Sequence, residues 1–193
     1  MMEAGEKRRL GVIARDWWKD LQPSEKGDDR YSRGDRAALA KLRRCSTWVE
    51  AAAEAQTLVL FGALRKGHPY ELLRVAVLAS VLAHVRTDDT STKNIADGIG
   101  KHACDKDATA VLSEFRLRRL LTTKGDDDIL IAFRRLVALM GNTANIADLA
   151  TNILYWDHPE TGDSTRVKFA FHYWKAGDAA PAGGASATIS PTP

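Results

Sequence analysis

The feature that most constrains this chain is the spacing of its apolar residues, which recur every three or four positions. The set Leu10, Ile13, Trp17 and Leu21 is one example. In an α-helix residues at this spacing share a face, whereas a half-buried strand needs strict alternation of apolar and polar residues. No segment shows convincing alternation, and no internal repeat is found. The sequence therefore predicts an all-α fold.

Capping residues and helix breakers divide this pattern into about eight or nine helices. Asp35 is the predicted N-cap of a helix that ends at Arg44, and Asn145 caps another, with Asp148 three residues later in a near capping box. The aspartates at 126–128 lie in a first turn, where they complement the helix dipole. The first predicted helix ends at about Leu21, and the helix capped by Asn145 has no predicted end. The other predicted helices span Asp35 to Arg44, Thr47 to Arg65, Pro69 to the residue before Thr87, Asn94 to His102, Ser113 to Thr123, Asp126 to Met140, and Thr165 to Trp174.

A short polar segment, Thr87 to Thr92, predicts a division into two small helical bundles, residues 1–92 and 93–176. From residue 177 onward the chain consists mainly of Ala, Gly, Ser, Thr and Pro, so residues 177–193 are predicted to be a disordered tail. Hydrophobic residues make up 45% of the chain, which is enough for a core and excludes wholesale disorder.

The cysteine content and the apolar segments indicate the compartment. Cys45 and Cys104 are too few for a disulfide framework and fit the reduced cytoplasm. The charged N-terminus has no apolar run that ends in a cleavage site, so no signal peptide is predicted. The most apolar stretch, Leu72 to Val85, contains Arg74 and His84 and is shorter than the roughly 20 residues of a membrane span. We expect a cytoplasmic protein that does not enter a membrane.

The charges are placed unevenly, although the formal net charge is only +3. In the helix GDRAALAKLRR, residues 34–44, Leu39 and Leu42 mark the apolar side, and only Asp35 offsets the basic residues on the other side. Exposed helix faces usually mix charge signs, because opposite charges three or four positions apart support each other. The basic residues at this helix are Arg33, Arg36, Lys41, Arg43 and Arg44.

Two later helices repeat this arrangement. In SEFRLRRLL, residues 113–121, three arginines lie opposite three leucines, and in IAFRRLVALM, residues 131–140, Arg134 and Arg135 face away from the apolar stripe. One such face is usually a solvated surface, but three in one chain favour a polyanionic partner, since the guanidinium fork matches two phosphate oxygens. No motif reads bases, so contacts to the backbone are predicted. The predicted nucleic-acid-binding residues are Arg33, Arg36, Lys41, Arg43, Arg44, Arg74, Lys101, Arg116, Arg118, Arg119, Arg134 and Arg135.

The sequence gives little support for catalysis or metal binding. His102 and Cys104 alone cannot form a metal site of three or four ligands, and no Walker loop, GxSxG or HExxH motif is present. The sequence therefore predicts no catalytic residues, no cofactor and no metal. The five tryptophans could stack on bases, but four of them adjoin apolar periodic positions, so packing in the core or at an interface is expected. Trp18 points off the apolar stripe of the first helix, and this makes it the best candidate for a partner contact.

Three ordered stretches carry a resemblance to a known family. They are RGDRAALAKLRR (33–44), SEFRLRRLL followed by IAFRRLVALM (113–140), and DLATNILYW followed by RVKFAFHYW (148–174). With Trp17, Trp18 and Leu21 they cover most of residues 10–174, and the chain resembles CasB, the small subunit of the type I-E CRISPR surveillance complex Cascade. It departs from the family at NIADGIGKHA, where Lys101 is the basic residue available for a contact.

The resemblance implies an all-helical, non-catalytic subunit with two helical subdomains. Such subunits occur as a pair within Cascade, contact other Cascade subunits, the guide RNA and the target DNA, and steady the displaced single strand of the R-loop. The heteroduplex formed in an R-loop is about as stable as the DNA duplex it replaces, so protein contacts to the backbone can shift this equilibrium.

Two other function classes remain as alternatives. A helical DNA-binding transcriptional regulator would need base-reading side chains such as Asn or Gln near the start of a recognition helix, and the arginine helices offer almost none. A helical enzyme would need a catalytic constellation, which the sequence lacks.

Overall fold

The secondary structure is almost entirely helical and confirms the predicted all-α class. The computed structural model describes residues 4–23, 34–65, 71–100 and 110–175. Within these ranges lie ten helices and two strands of two residues each. They are α1 Ala4–Leu21, α2 Arg36–Arg44, α3 Trp48–Ala52, α4 Ala55–Leu64, α5 Leu72–Leu82, β1 Thr87–Asp88, α6 Ile95–Ile99, α7 Glu114–Leu121, α8 Asp126–Leu139, β2 Thr143–Ala144, α9 Ile146–Tyr155 and α10 Gly162–Lys175.

The additional helix comes from the predicted segment Thr47 to Arg65, which is two helices rather than one. The amide of Ala53 donates to Glu50 O at 3.2 Å and that of Glu54 to Ala51 O at 3.2 Å, so the last turn of α3 tightens. Glu54 then adopts an extended conformation and α4 begins at the next residue. The alanine-rich sequence carries no Gly or Pro at this break, so periodicity alone did not reveal it.

Two of the predicted helix starts are confirmed by their caps, whereas the last helix begins at Gly162 and not at the predicted Thr165. Asp35 Oδ1 accepts a hydrogen bond from Ala38 N at 2.8 Å, and Asn145 Oδ1 accepts one from Asp148 N at 3.1 Å. The Asp148 carboxylate does not complete a capping box. It accepts a hydrogen bond from Ile95 N at 2.8 Å instead, and thereby joins the start of α6 to α9.

The two short strands, which the sequence did not predict, tie the middle of the chain to the start of α9. They pair in parallel, with Thr87 opposite Thr143. Asp88 Oδ1 accepts a hydrogen bond from Ile146 N at 3.1 Å, and its other carboxylate oxygen lies 2.8 Å from Arg15 Nε of α1. Strands of two residues are too short to show alternation, so the sequence pattern could not indicate them.

The core is built around α5, whose residues 75–82 are all buried. This helix packs against α3, α4, α8 and α9, while α1 packs against α9. Phe133 of α8 and Phe169 of α10 each meet the buried Trp156 ring edge to face, at centroid distances of 5.0 and 5.3 Å. The α5–α8 and α1–α9 contacts cross residue 92, where two subdomains were predicted to meet, and that division stays a prediction.

The closest crossing of α1 and α9 depends on a glycine. A Cβ at Gly11 would lie 2.6 Å from Ala147 O and 2.9 Å from Ala147 Cβ. No side chain fits at that distance, so the glycine allows the two helix backbones to approach.

The tail at 177–193 lies outside the described residues. Among the helices of the described ranges, none is both long enough and apolar enough to cross a membrane.

Candidate nucleic-acid interface

The basic face predicted on α2 is present on the surface. Leu39 and Leu42 are buried on the inner side of the helix. Arg36, Lys41 and Arg44 are exposed on the outer side. The neighbouring predicted contacts Arg33 and Lys101 lie outside the described residues.

A second concentration of basic residues lines a cleft between α7 and α8. Helix α7 packs against α10, whereas α8 packs against α5 and α3, so a gap opens between these consecutive helices. The gap, which we term the α7–α8 cleft, has a volume of about 1070 Å³. It is lined by Leu112, Arg116, Arg119, Leu120, Thr122, Thr123, Lys124, Asp128, Ile131, Ala132, Arg135, Leu136, Ala138 and Leu139.

The walls of the α7–α8 cleft are basic. Arg116 and Arg119 come from α7, Lys124 from the connecting loop and Arg135 from α8, and all four are exposed. Among the described lining residues only Asp128 carries a negative charge. Four cations around one concave surface produce a positive potential that attracts a polyanion.

Lys124 was not in the predicted set. It follows the last turn of α7, so an argument from helix faces passes over it. The signal available in the sequence was a lysine in the short loop between two arginine-rich helices.

The other two aspartates of the α8 first turn are engaged within the protein. Asp126 Oδ1 lies 3.2 Å from Arg74 NH2, and Asp127 Oδ1 accepts a hydrogen bond from Trp48 N at 3.2 Å. Arg74 was predicted to contact nucleic acid. Its ion pair with Asp126 and its half-buried position fit a role in joining α5 to α8.

Two arginines do not point away from the protein as predicted. Arg134 is half-buried, and its guanidinium donates to Leu42 O at 3.2 Å and to the Ser80 hydroxyl. Arg43 is exposed overall, but its Nε donates to Ala83 O at 2.6 Å. Leu42 and Ala83 lie at the C-terminal ends of α2 and α5, where carbonyl groups lack helical partners and attract cations. The helical wheel correctly assigned these arginines to a polar side, but that side faces a neighbouring helix end.

Burial outweighs the charge of the nearby Glu50 in its effect on the pKa of Arg134. Burial lowers the pKa of Arg134 from its ordinary value, and burial together with the charges of Arg134 and Arg43 lowers the pKa of His84 to about 4. The His84 side chain is therefore neutral at physiological pH. The contacts of Arg43 and Arg134 with helix ends fit a structural role, and a contact of either residue with phosphate stays a prediction.

Trp18 was expected to contact a partner, and this was wrong. Its side chain is only 6% exposed, and its Nε1 donates to Val85 O at 3.2 Å. Trp17 is equally buried and donates to Gln56 O at 3.1 Å. Both rings point inward because α1 is covered on more than one side, by α9, α4 and α2.

Asp148, whose pKa is the most strongly shifted among the carboxyl groups of the described residues, has a structural role. Burial raises the pKa of Asp148 to about 6. A perturbed carboxyl is often functional, but the oxygen that accepts from Ile95 N also accepts from Asn152 Nδ2 at 3.1 Å. No group of three metal-binding side chains occurs in the described ranges, and His102 and Cys104 lie outside them.

Comparison with known protein families confirms the resemblance to CasB, for which Cse2 is another name. The family model described as CRISPR-associated protein Cse2 matches residues 38–174, a span that includes most of α2 and all of the α7–α8 cleft. No curated protein and no solved structure gives a significant match to the chain.

Proposed function

This chain belongs to the Cse2 family of CRISPR-associated proteins and is thus a Cascade subunit, and on that premise we propose that it is a non-catalytic small subunit of a type I-E complex that holds nucleic-acid backbone and stabilises the R-loop. Its partners are other Cascade subunits, a second copy of itself, the guide RNA and, above all, the displaced strand of the target DNA.

The observation that carries the proposal is the α7–α8 cleft. Arg116, Arg119 and Arg135 line it from two helices, and Lys124 adds a fourth positive charge at the connecting loop. Arginine binds phosphate through two parallel hydrogen bonds and needs no particular base. The cleft therefore suits a strand whose sequence changes from one target to the next.

The exposed side of α2 extends the same chemistry. Arg36, Lys41 and Arg44 provide a second positive surface, separate from the arginines that bind helix ends. Each phosphate that is neutralised releases counterions, so a few such contacts shift the balance between the R-loop and the reannealed duplex.

The test compares the double variant Arg116→Ala with Arg119→Ala against the wild-type protein. Binding to a single-stranded oligonucleotide is titrated over a range of salt concentrations. Because both residues are exposed, the variant should melt within about 0.5 kcal/mol of the wild type. It should bind more weakly, and the salt slope should fall by about 0.7 for each phosphate that the protein no longer neutralises. In a reconstituted Cascade the variant should assemble but shorten the lifetime of the R-loop.

The matched control is the double variant Arg8→Ala with Arg9→Ala. It removes the same charge from the exposed side of α1, outside the α7–α8 cleft. Equal reductions of binding in both double variants would indicate a general charge effect and contradict a site in the cleft. A tight, salt-insensitive preference for one palindromic duplex would instead favour a DNA-binding regulator.

A further inference from the structure

One aromatic side chain stands out on the solvent side of α7. Phe115 is 76% exposed, more than any other large hydrophobic residue of the described ranges. The phenylalanine side chain has no polar atom that could form a hydrogen bond with water, so its exposure leaves apolar surface in contact with solvent. Single exposed apolar residues are common on protein surfaces, so the residues around Phe115 determine whether it marks a binding site.

Those neighbours are arginines. Residues three and four positions apart are adjacent on a helix surface, and these positions after Phe115 are Arg118 and Arg119. Both are exposed, while Leu117 and Leu120 bury the opposite side of α7. Arg118 and Arg119 thus occupy the two positions of the next helical turn that adjoin Phe115.

Arg119 connects this surface to the α7–α8 cleft, since it also lines the cleft. Among the described residues that line the cleft none is aromatic. Single-strand-binding sites combine a positive groove for the backbone with an aromatic ring on which a base stacks. The cleft supplies the first part, and Phe115, one helical turn before the cleft residue Arg119, supplies the second.

The position of Phe115 is set by the ends of a short, well-capped helix. Ser113 caps α7, and the hydroxyls of Thr122 and Thr123 donate to Arg119 O at 3.0 and 2.9 Å. The caps fix the backbone at Phe115, so only its side-chain torsions need to be ordered when a base contacts the ring.

We propose that Phe115 is a base-stacking residue, which makes the α7–α8 cleft selective for strands with unpaired bases over duplex. This inference rests on the proposed function and adds to it a residue outside the arginine set. A ring stacked on one face of a base is indifferent to base identity, as a strand of variable sequence requires.

The test uses three probes of equal length: oligo(dT), an abasic deoxyribose-phosphate oligomer, and a duplex. Phe115→Ala should weaken binding to oligo(dT) about 10-fold and leave binding to the abasic oligomer and the duplex unchanged. Phe115→Trp should retain oligo(dT) binding because indole stacks well. Phe115→Leu, which is apolar but cannot stack, should bind as weakly as the alanine variant. Melting curves of all three should match the wild type, since the side chain is exposed.

Phe171→Ala is the matched control, because Phe171 is 60% exposed on α10 with the exposed Lys168 three positions before it, and neither residue lines the α7–α8 cleft. It should bind oligo(dT) normally. Normal oligo(dT) binding by Phe115→Ala, or full binding by Phe115→Leu, would overturn the stacking role. If the Arg116 and Arg119 double variant is weakened in the same assay, the proposed function survives that result. A Phe115→Ala protein that binds DNA normally but fails to enter Cascade would make Phe115 a subunit contact and would likewise overturn the inference.

Discussion

Replacing Arg134 by alanine should destabilise the protein, whereas replacing its neighbour Arg135 should not. The Arg134 guanidinium donates to Leu42 O and to the Ser80 hydroxyl, which is itself buried. Arg135 is exposed and lines the α7–α8 cleft. The two residues are adjacent and chemically identical, so any difference between the two variants reports their surroundings.

The magnitude follows from the hydrogen bonds that the substitution removes. Hydrogen bonds from a charged donor contribute roughly 1.5–3 kcal/mol. Leu42 O keeps one donor after the substitution, the Ser80 hydroxyl at 3.1 Å, which argues against a larger effect. For a chain of this size 1 kcal/mol corresponds to about 2–4 °C in Tm, so Arg134→Ala should lower Tm by roughly 3–12 °C. Arg135→Ala should stay within about 0.5 kcal/mol of the wild type.

The assay pairs thermal or urea unfolding with a titration of single-stranded DNA for each variant. Arg135→Ala should keep its stability and bind more weakly. Arg134→Ala should lose stability and, at a temperature where it is folded, bind normally. Wild-type unfolding of Arg134→Ala would contradict this prediction, because its bonds to α2 and α5 would then contribute nothing. Loss of DNA binding by Arg134→Ala alone would contradict it as well.

Three further predictions concern the fold. Gly11→Ala should cost about 1–3 kcal/mol in urea unfolding, because the new methyl would overlap Ala147 of α9; Gly62→Ala, in open space on α4, should be neutral or stabilising, and equal destabilisation in both would refute the crowding argument. Phe133→Ala should lower the free energy of unfolding by roughly 3–5 kcal/mol, because it leaves a cavity against Trp156. A calorimetric Tm near that of the wild type would contradict this prediction and show that neighbouring side chains fill the cavity. His84 has a folded pKa of about 4 against 6.5 in its ordinary state, so the stability it contributes is present above pH 6.5 and is lost as pH falls towards 4. His84→Gln should therefore lose less stability than the wild type between pH 7 and 5, and parallel decreases in urea titrations would contradict this.

The helical content and most helix starts could be predicted because they depend on local chemistry. An Asp at position 35 or an Asn at position 145 satisfies a free amide three residues on, whatever the rest of the chain does. The break between α3 and α4 depends on how the two segments pack against α5, and no residue type marks it.

The candidate site was predictable to the extent that it depends on single helices. Periodicity shows which side of a helix is apolar, but it cannot show what covers the other side. Arg134 and Arg135 both lie off the apolar stripe, yet one faces the end of α2 and the other faces the cleft. The same limit explains Trp18, which lies off the stripe of α1 and is covered by another part of the chain. Convergence of α7, α8 and their loop on one cleft is a property of the tertiary packing alone.

The contact between α1 and α9 also has a consequence for the order of events at the ribosome. Arg15 of α1 bonds to Asn145, which is 130 residues further along the chain. At the usual rate of translation, about 5–20 residues per second, roughly 6–26 s pass between the synthesis of these two residues. During that interval Leu10 and Ala14, which are both buried in the finished fold, have no α9 to cover them. Nascent chains of this protein thus expose the apolar face of α1 until almost the whole fold has emerged, and we expect chaperones that bind such segments to act on α1.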